Sequence, residues 1–292
     1  DDGLGLEQGG LGATAYAESR GANAATVAQD WKIWADASTK AQANLDEKKG
    51  TEAASDLNLA LEAAKKLAAF DPQSVAFQMS VVKAANNLGN LAFARNDNDS
   101  AVKYFDLLKI EASKLQSLDS EGTEAARDNL YIANERLGDI QLKAQALDKA
   151  KEHYLAALKT SREALAQAPT SDPLRRNVWN ANLKVADVAN RSGGNPEART
   201  HLEAALKIAT DRSKAFPEDI RYTQALALTH RRLGEIATGM NDFEAAKLQH
   251  AAALSLFQQV ATISGTTADR GQVVRALYRL ADVDVRQESK TN

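Results

Sequence analysis

A short motif returns along this chain at nearly constant spacing, and no other feature restricts its fold as much. The copies read NNLGNL, ERLGDI, LKVADV, RRLGEI and YRLADV. Aligned on the central aliphatic residue they fall at Leu88, Leu137, Val185, Leu233 and Leu280, at intervals of 49, 48, 48 and 47. A small residue follows each one: Gly89, Gly138, Ala186, Gly234 and Ala281. Three positions past the first stands a further aliphatic: Leu91, Ile140, Val188, Ile236 and Val283. Residues at i and i+3 share a helix face, so each copy is a buried stripe with a small residue where another helix crosses closely.

Two further columns keep the same period. Ala53, Ala101, Ala150, Ala198 and Ala246 form one, with Leu57, Phe105, Tyr154, Leu202 and His250 four residues on and Ala60, Leu108, Ala157, Ala205 and Ala253 seven on. That is the inward face of a second helix. The other column, Pro72, Ser120, Pro169, Pro217 and Gly265, holds residues suited to ending or starting helices. Each period therefore reads as two antiparallel helices joined by a short polar turn, with eleven helices in all and no strand. Asn195 is expected to cap a helix beginning at Pro196, and Asn241 with Glu244 to form a capping box. Asp71-Pro72 and Asp172-Pro173 are expected to open first helices in the same way.

Composition fits such a design. Apolar residues make up 44% of the chain but aromatics only 5%, so cores must come from closely approaching helices rather than from large side chains. With 36 basic and 39 acidic residues, net charge -3, the surface lacks the positive excess that nucleic-acid binding needs. No apolar run approaches the roughly 20 residues of a membrane-spanning helix, so no direct membrane insertion is expected. The absence of cysteine excludes disulfides, thiolate chemistry and Cys-ligated zinc. Because residue 1 is Asp, the chain is expected to be either processed or part of a larger polypeptide. The compartment stays open, cytoplasm before periplasm.

Enzyme signatures fail on inspection. GLGLEQG has Gln8 where a dinucleotide fingerprint needs its third glycine, and no phosphate loop, G-x-S-x-G or H-E-x-x-H occurs. His153 and His201, at equivalent positions in adjacent periods, have no ligand spacing around them and read as surface residues, so no metal and no cofactor is expected. His250 reads as a partly buried packing residue. Trp31 and Trp34 lie on one helix face and are expected to pack on the first period, and Trp179 to join the core.

RNDNDSAVKYFDLL and ALDKAKEHYLAAL resemble the second helix of the tetratricopeptide repeat, whose usual length is 34 residues. The unit here exceeds that by about 14 residues, close to four helical turns, which lengthens each helix by about 10 Å without changing its face. The chain thus looks like the long-repeat variant found in bacterial multidomain proteins. The resemblance covers roughly residues 24–286. It implies an all-α superhelical solenoid of about five long hairpins, closed by a capping helix around 267–286 with Val273, Ala276, Leu277, Leu280 and Val283 inward. Residues 1–23 would be a flexible glycine-rich arm and 287–292 a disordered tail. The function it implies is a non-catalytic scaffold binding a protein or peptide partner in a concave groove lined by the first helices. The alternative is a sensory or regulatory ligand-binding domain of a larger signalling protein.

The candidate contacts on that face follow from the motif column. Arg136, Lys184, Arg232 and Arg279 each precede an acid by three residues: Asp139, Asp187, Glu235 and Asp282. Asn87 and Asn90 replace the pair in the first full copy. Lys83, Asn86, Asn134, Asn182, His230, Arg231 and Arg275 lie beside them, with the amides and His230 as hydrogen-bonding groups for a peptide backbone. Two readings stay open: base and acid pair along their own helix, or the column offers alternating charges to an extended peptide. Of a carboxylate clamp only Lys83 and Asn90 are present, and Glu135 and Asp139 oppose it in the next unit.

Overall fold

The computed structural model describes residues 24–118 and 120–291, and among these it contains eleven helices and no strand. Helix α1 (Ala24–Asp46) pairs with α2 (Gly50–Phe70), and α3 (Val75–Ala94) with α4 (Asn98–Leu115). Next come α5 (Ser120–Lys143) and α6 (Leu147–Gln167). Helix α7 (Asp172–Arg191) pairs with α8 (Asn195–Ala215), α9 (Ile220–Gly239) with α10 (Phe243–Ser264), and α11 (Thr267–Thr291) comes last. This is the helical-repeat solenoid class that the period implies. The arm expected at 1–23 lies outside the described residues.

The chain divides between Ile140 and Gln141 into two units. In the first, α1 to α4 each pack on the next. Val27, Trp31, Leu67 and Phe77 form one core cluster, with Trp31 4.7 Å from Trp34 and 6.0 Å from Phe77 between ring centroids. Both tryptophans therefore pack on the first hairpin, as expected. A second cluster joins Ala41, Leu57, Leu61, Val81 and Leu88, and a third Phe105, Leu108, Leu115, Ala133 and Leu137. In the second unit, α6 to α11 again pack in sequence. Leu183, Ala186, Leu202, Ala205, Leu233 and Ile236 form one cluster there, and Ala227, Ala253, Phe257 and Ala276 another. Trp179 lies half-buried against the former, its indole N–H donating to Thr229 at 3.0 Å.

Inside four of the hairpins the small residue of the motif faces the residue sixteen positions on. A Cβ built on Gly89 would stand 2.7 Å from the Phe105 ring, and one on Gly234 2.6 Å from the His250 ring. Where the small residue is alanine, its partner is leucine: Ala41 shares a cluster with Leu57, and Ala186 with Leu202. The volumes compensate, a missing methyl on one helix making room for a ring on the other.

The turn from first to second helix is built identically each time. Lys48, Asn96, Gln145, Gly193 and Asn241 all have positive φ, from 58° to 80°, and stand 48 or 49 residues apart. The residue after each donates its N–H five positions back, as in Asp97 to Ala92, Gly194 to Ala189 and Asp242 to Ala237, closing a Schellman motif. The left-handed conformation costs a side chain about 1–2 kcal/mol, which glycine and, in part, asparagine avoid. Gln145→Gly is expected to raise stability by about 0.5–1 kcal/mol in denaturant melts, the flexibility of glycine offsetting part of the relief. Gly193→Ala should lose a similar amount.

This joint corrects two caps. Asn241 is the left-handed turn residue, and Asp242 is the N-cap, its carboxylate accepting from the Ala245 N–H at 3.2 Å. Asn195 lies inside α8, whose N-cap is Gly194, a residue without a side chain to cap the helix. Asp172-Pro173 does open α7, but Asp71-Pro72 does not open α3. Asp71 instead closes α2 and takes the Gln73 N–H at 3.0 Å, leaving Ser74 to cap α3.

The last helix departs from expectation in two ways. It continues to Thr291 rather than ending at 286, so 287–291 is helical and not a tail. Ala276 and Val283 are buried against the preceding hairpin and Val273 and Leu280 are half-buried, but Leu277 is 49% exposed. Val274, Tyr278 and Val285 are exposed with it. Val274, Leu277 and Ala281 occupy the positions at which Ala227, His230 and Gly234 of α9 meet α10. No helix covers these positions among the described residues, which is why Leu277 faces outward.

Candidate protein-interaction face

In the second unit the first helices of successive hairpins are α7, α9 and α11. Arg232 on α9 reaches back to Asp187 on α7 at 3.9 Å, and Arg279 on α11 reaches back to Glu235 on α9 at 3.6 Å. Within single helices Asp187 also meets Arg191 at 3.3 Å, Glu235 meets Arg231 at 3.5 Å, and Asp282 meets Arg286 at 2.9 Å. All of these side chains are partly exposed. The column expected to pair along its own helix therefore links one hairpin to the next here. Such pairs between partly exposed groups contribute about 0–1 kcal/mol each.

Cations outnumber anions on this surface. Arg231, Arg232, Arg275 and Arg279 gather near Glu235, and Arg275 is bonded only to the Gly271 carbonyl of its own helix, at 3.4 Å. Burial, more than any other cause, lowers the pKa of the half-buried Arg231 guanidinium; Glu235 opposes this, and Arg232, Arg279 and Arg275 add to it. Lys184 lies with its ammonium 5.7 Å from the centre of the Tyr154 ring.

In the second unit Asn182 and His230, expected on the face, point elsewhere. Asn182 is fully buried, its Nδ2 donating to the Val178 carbonyl at 2.8 Å and its Oδ1 3.0 Å from the His201 ring nitrogen. His230 makes the equivalent bond nineteen residues on, to Gln249 Oε1 at 2.7 Å. Both side chains join a first helix to its own second helix, so Asn182 has no surface left for a peptide. His201, expected on the surface, is half-buried by this bond, and burial is the main cause that lowers its pKa. His250 is fully buried, more so than a packing residue at a helix edge.

In the first unit, Lys83 and Asn87 are exposed, and Asn90 donates to Asn86 at 2.9 Å. Asn134 is buried, its Nδ2 donating to the Leu130 carbonyl. Arg136 lies 5.3 Å from the centre of the Phe93 ring and 3.8 Å from Asp139, which is the expected i, i+3 pair. A further ion pair in the second unit has a buried arginine: Arg212 of α8 meets Asp172 Oδ2 at 2.6 Å and stacks 4.2 Å from the Tyr222 ring centre, while the Tyr222 hydroxyl donates to the same oxygen at 2.8 Å. Only the spacing of Asp172 and Tyr222, close to one period, hinted that the two could meet.

No protein-family model matches the sequence, and no curated protein matches it. Solved structures do resemble it. RapI in its apo form superposes with a TM-score of 0.57 at 11% identity, over 85% of this chain and 83% of RapI. BtubC from P. vanneervenii gives 0.49 at 18% identity, over 80% and 91% of the two chains. The pilF protein of Pseudomonas aeruginosa gives 0.45 at 12%, over 87% and 93%. The likeness to RapI, together with the eleven helices and the shared period, makes this chain a tetratricopeptide-like helical-repeat protein by fold.

Proposed function

We propose that the protein is a non-catalytic interaction scaffold that takes an extended polypeptide on the face lined by the first helices α7, α9 and α11 of its second unit. The observation that carries this reading is the run of cross-hairpin ion pairs on α7, α9 and α11, made between half-exposed groups at 3.6–3.9 Å. Pairs this long leave guanidinium donors free to exchange their carboxylates for those of a partner. Side chains of one face repeat along such an array at hairpin spacing, which suits an extended chain better than a small ligand.

The test is capture of partners on the immobilised chain, identification by mass spectrometry, and titration against Arg232→Glu and Arg279→Glu. Each substitution should change stability by less than about 1 kcal/mol, because the pairs removed are partly exposed. Partner affinity should fall about tenfold or more, with a changed salt dependence. Unchanged affinity at low and high salt in both variants would reduce the charged column to helix-stabilising pairs.

A further inference from the structure

Two guanidiniums share one carboxylate at the junction of α9 and α11, and two more lie close to Arg231. Glu235 Oε1 is 3.5 Å from Arg231 Nη1 and 3.6 Å from Arg279 Nε, with Arg232 and Arg275 beside them. The nearest other acids are already engaged: Asp187 with Arg191 and Arg232, and Asp282 with Arg286. The Arg231 and Arg232 side chains keep part of their surface exposed. Like charges with too little counter-charge are unfavourable, and an anion added at those exposed ends would relieve the repulsion.

The charge balance selects the anion. Four guanidiniums against Glu235 and Asp187, the latter shared with Arg191, leave an excess of about two positive charges, which one carboxylate would only half offset. A phosphoryl group carries about -1.5 to -2 at neutral pH and offers three acceptor oxygens to forked donors. Resting on the scaffold reading above, we infer that the α9–α11 end of this face receives a phosphorylated side chain of the polypeptide partner, held by Arg231, Arg232, Arg275 and Arg279. Glu235 then serves as the internal counter-ion that occupies the arginines until the phosphoryl group displaces it.

The test uses the full chain with inorganic phosphate, phosphoserine, serine and acetate at matched ionic strength, read by calorimetry and thermal shift. Phosphate and phosphoserine should bind and raise the melting temperature, while serine and acetate should not. Arg231→Gln and Arg279→Gln should each weaken phosphoserine binding about tenfold, a charge-assisted fork being lost. Lys159→Gln, an exposed cation on α6, should leave it unchanged. Glu235→Gln should tighten binding about threefold or more by removing the competitor, an effect that a merely structural Glu235 would not produce. Equal binding of acetate, or indifference to both arginine variants, would overturn the phosphoryl site. Phosphatase treatment of a captured partner separates the two levels of the reading. Loss of binding supports the site; retained binding that still responds to Arg232→Glu refutes it and leaves the scaffold standing.

Discussion

Gly89→Ala should destabilise the protein by about 1–2 kcal/mol, although the same change in an ordinary helix gains nearly 1 kcal/mol from backbone entropy. The added methyl would enter within 2.7 Å of the Phe105 ring, and a ring in a filled core cannot bend away as a flexible chain could. Phe105→Leu alone should also cost about 1–2 kcal/mol through the void it opens. The two together should cost clearly less than their sum, because the double variant recreates the alanine–leucine pair that this chain already uses at Ala186 and Leu202. Strict additivity in denaturant melts would show that the compensation is accidental. Gly234→Ala with His250→Leu should behave alike and bring a second readout. Burial, the largest cause, depresses the His250 pKa in the fold, with Arg279 and Arg231 adding to it and Glu235 and Asp282 opposing. A histidine shifted down leaves stability intact above its unfolded pKa of about 6.5 and loses it as pH falls below that value. The double variant should lose less stability than the parent on acidification from pH 7 to 5.

Arg212→Ala should cost about 2–3 kcal/mol. Arg212 is 6% exposed and ties α8 to the start of α7 through Asp172 while stacking on Tyr222 at the start of α9. Removing one partner of such a pair strands the other charge; here Asp172 keeps about a third of its side-chain surface, which moderates the loss. Tyr222→Phe should cost about 1 kcal/mol, since it deletes one hydrogen bond and keeps the ring under the guanidinium. Calorimetric melts that find Arg212→Ala no worse than Tyr222→Phe would reduce the triad to a surface contact.

The parts of this structure legible beforehand are those that repeat. The motif column, the anchor alanines and the breaker column each recur at one interval, so the helices, their pairing and the long-repeat fold could be read from spacing alone. What escaped reading depends on which neighbour a side chain meets. Asn182 and His230 stand two residues before the charged column, about 200° round the helix, and that rotation turns them onto the second helix instead of outward. Leu277 carries the apolar character of an inward residue, but the helix that would cover it is absent from the described residues. Arg232 meets an acid in the previous hairpin because side chains one period apart come as close as those one turn apart, and spacing within a single helix does not reveal this. Asn241 reads as a cap one residue early because a left-handed turn residue and an N-cap draw on the same amino acids.

The recurring left-handed joint also sets where this chain can vary in length. From each motif residue to the joint, and from the joint to the anchor alanine, the residue count is the same in every complete repeat. The intervals of 49, 48, 48 and 47 therefore arise wholly on the return from second helix to next first helix. One end of every hairpin is a rigid weld, and the other is the slack through which the chain takes up or gives out residues. A tag, probe or whole domain spliced beside the exposed Phe216 would enter that slack, whereas a single residue added at Asn241 would break the weld and turn the helix that follows by a full step.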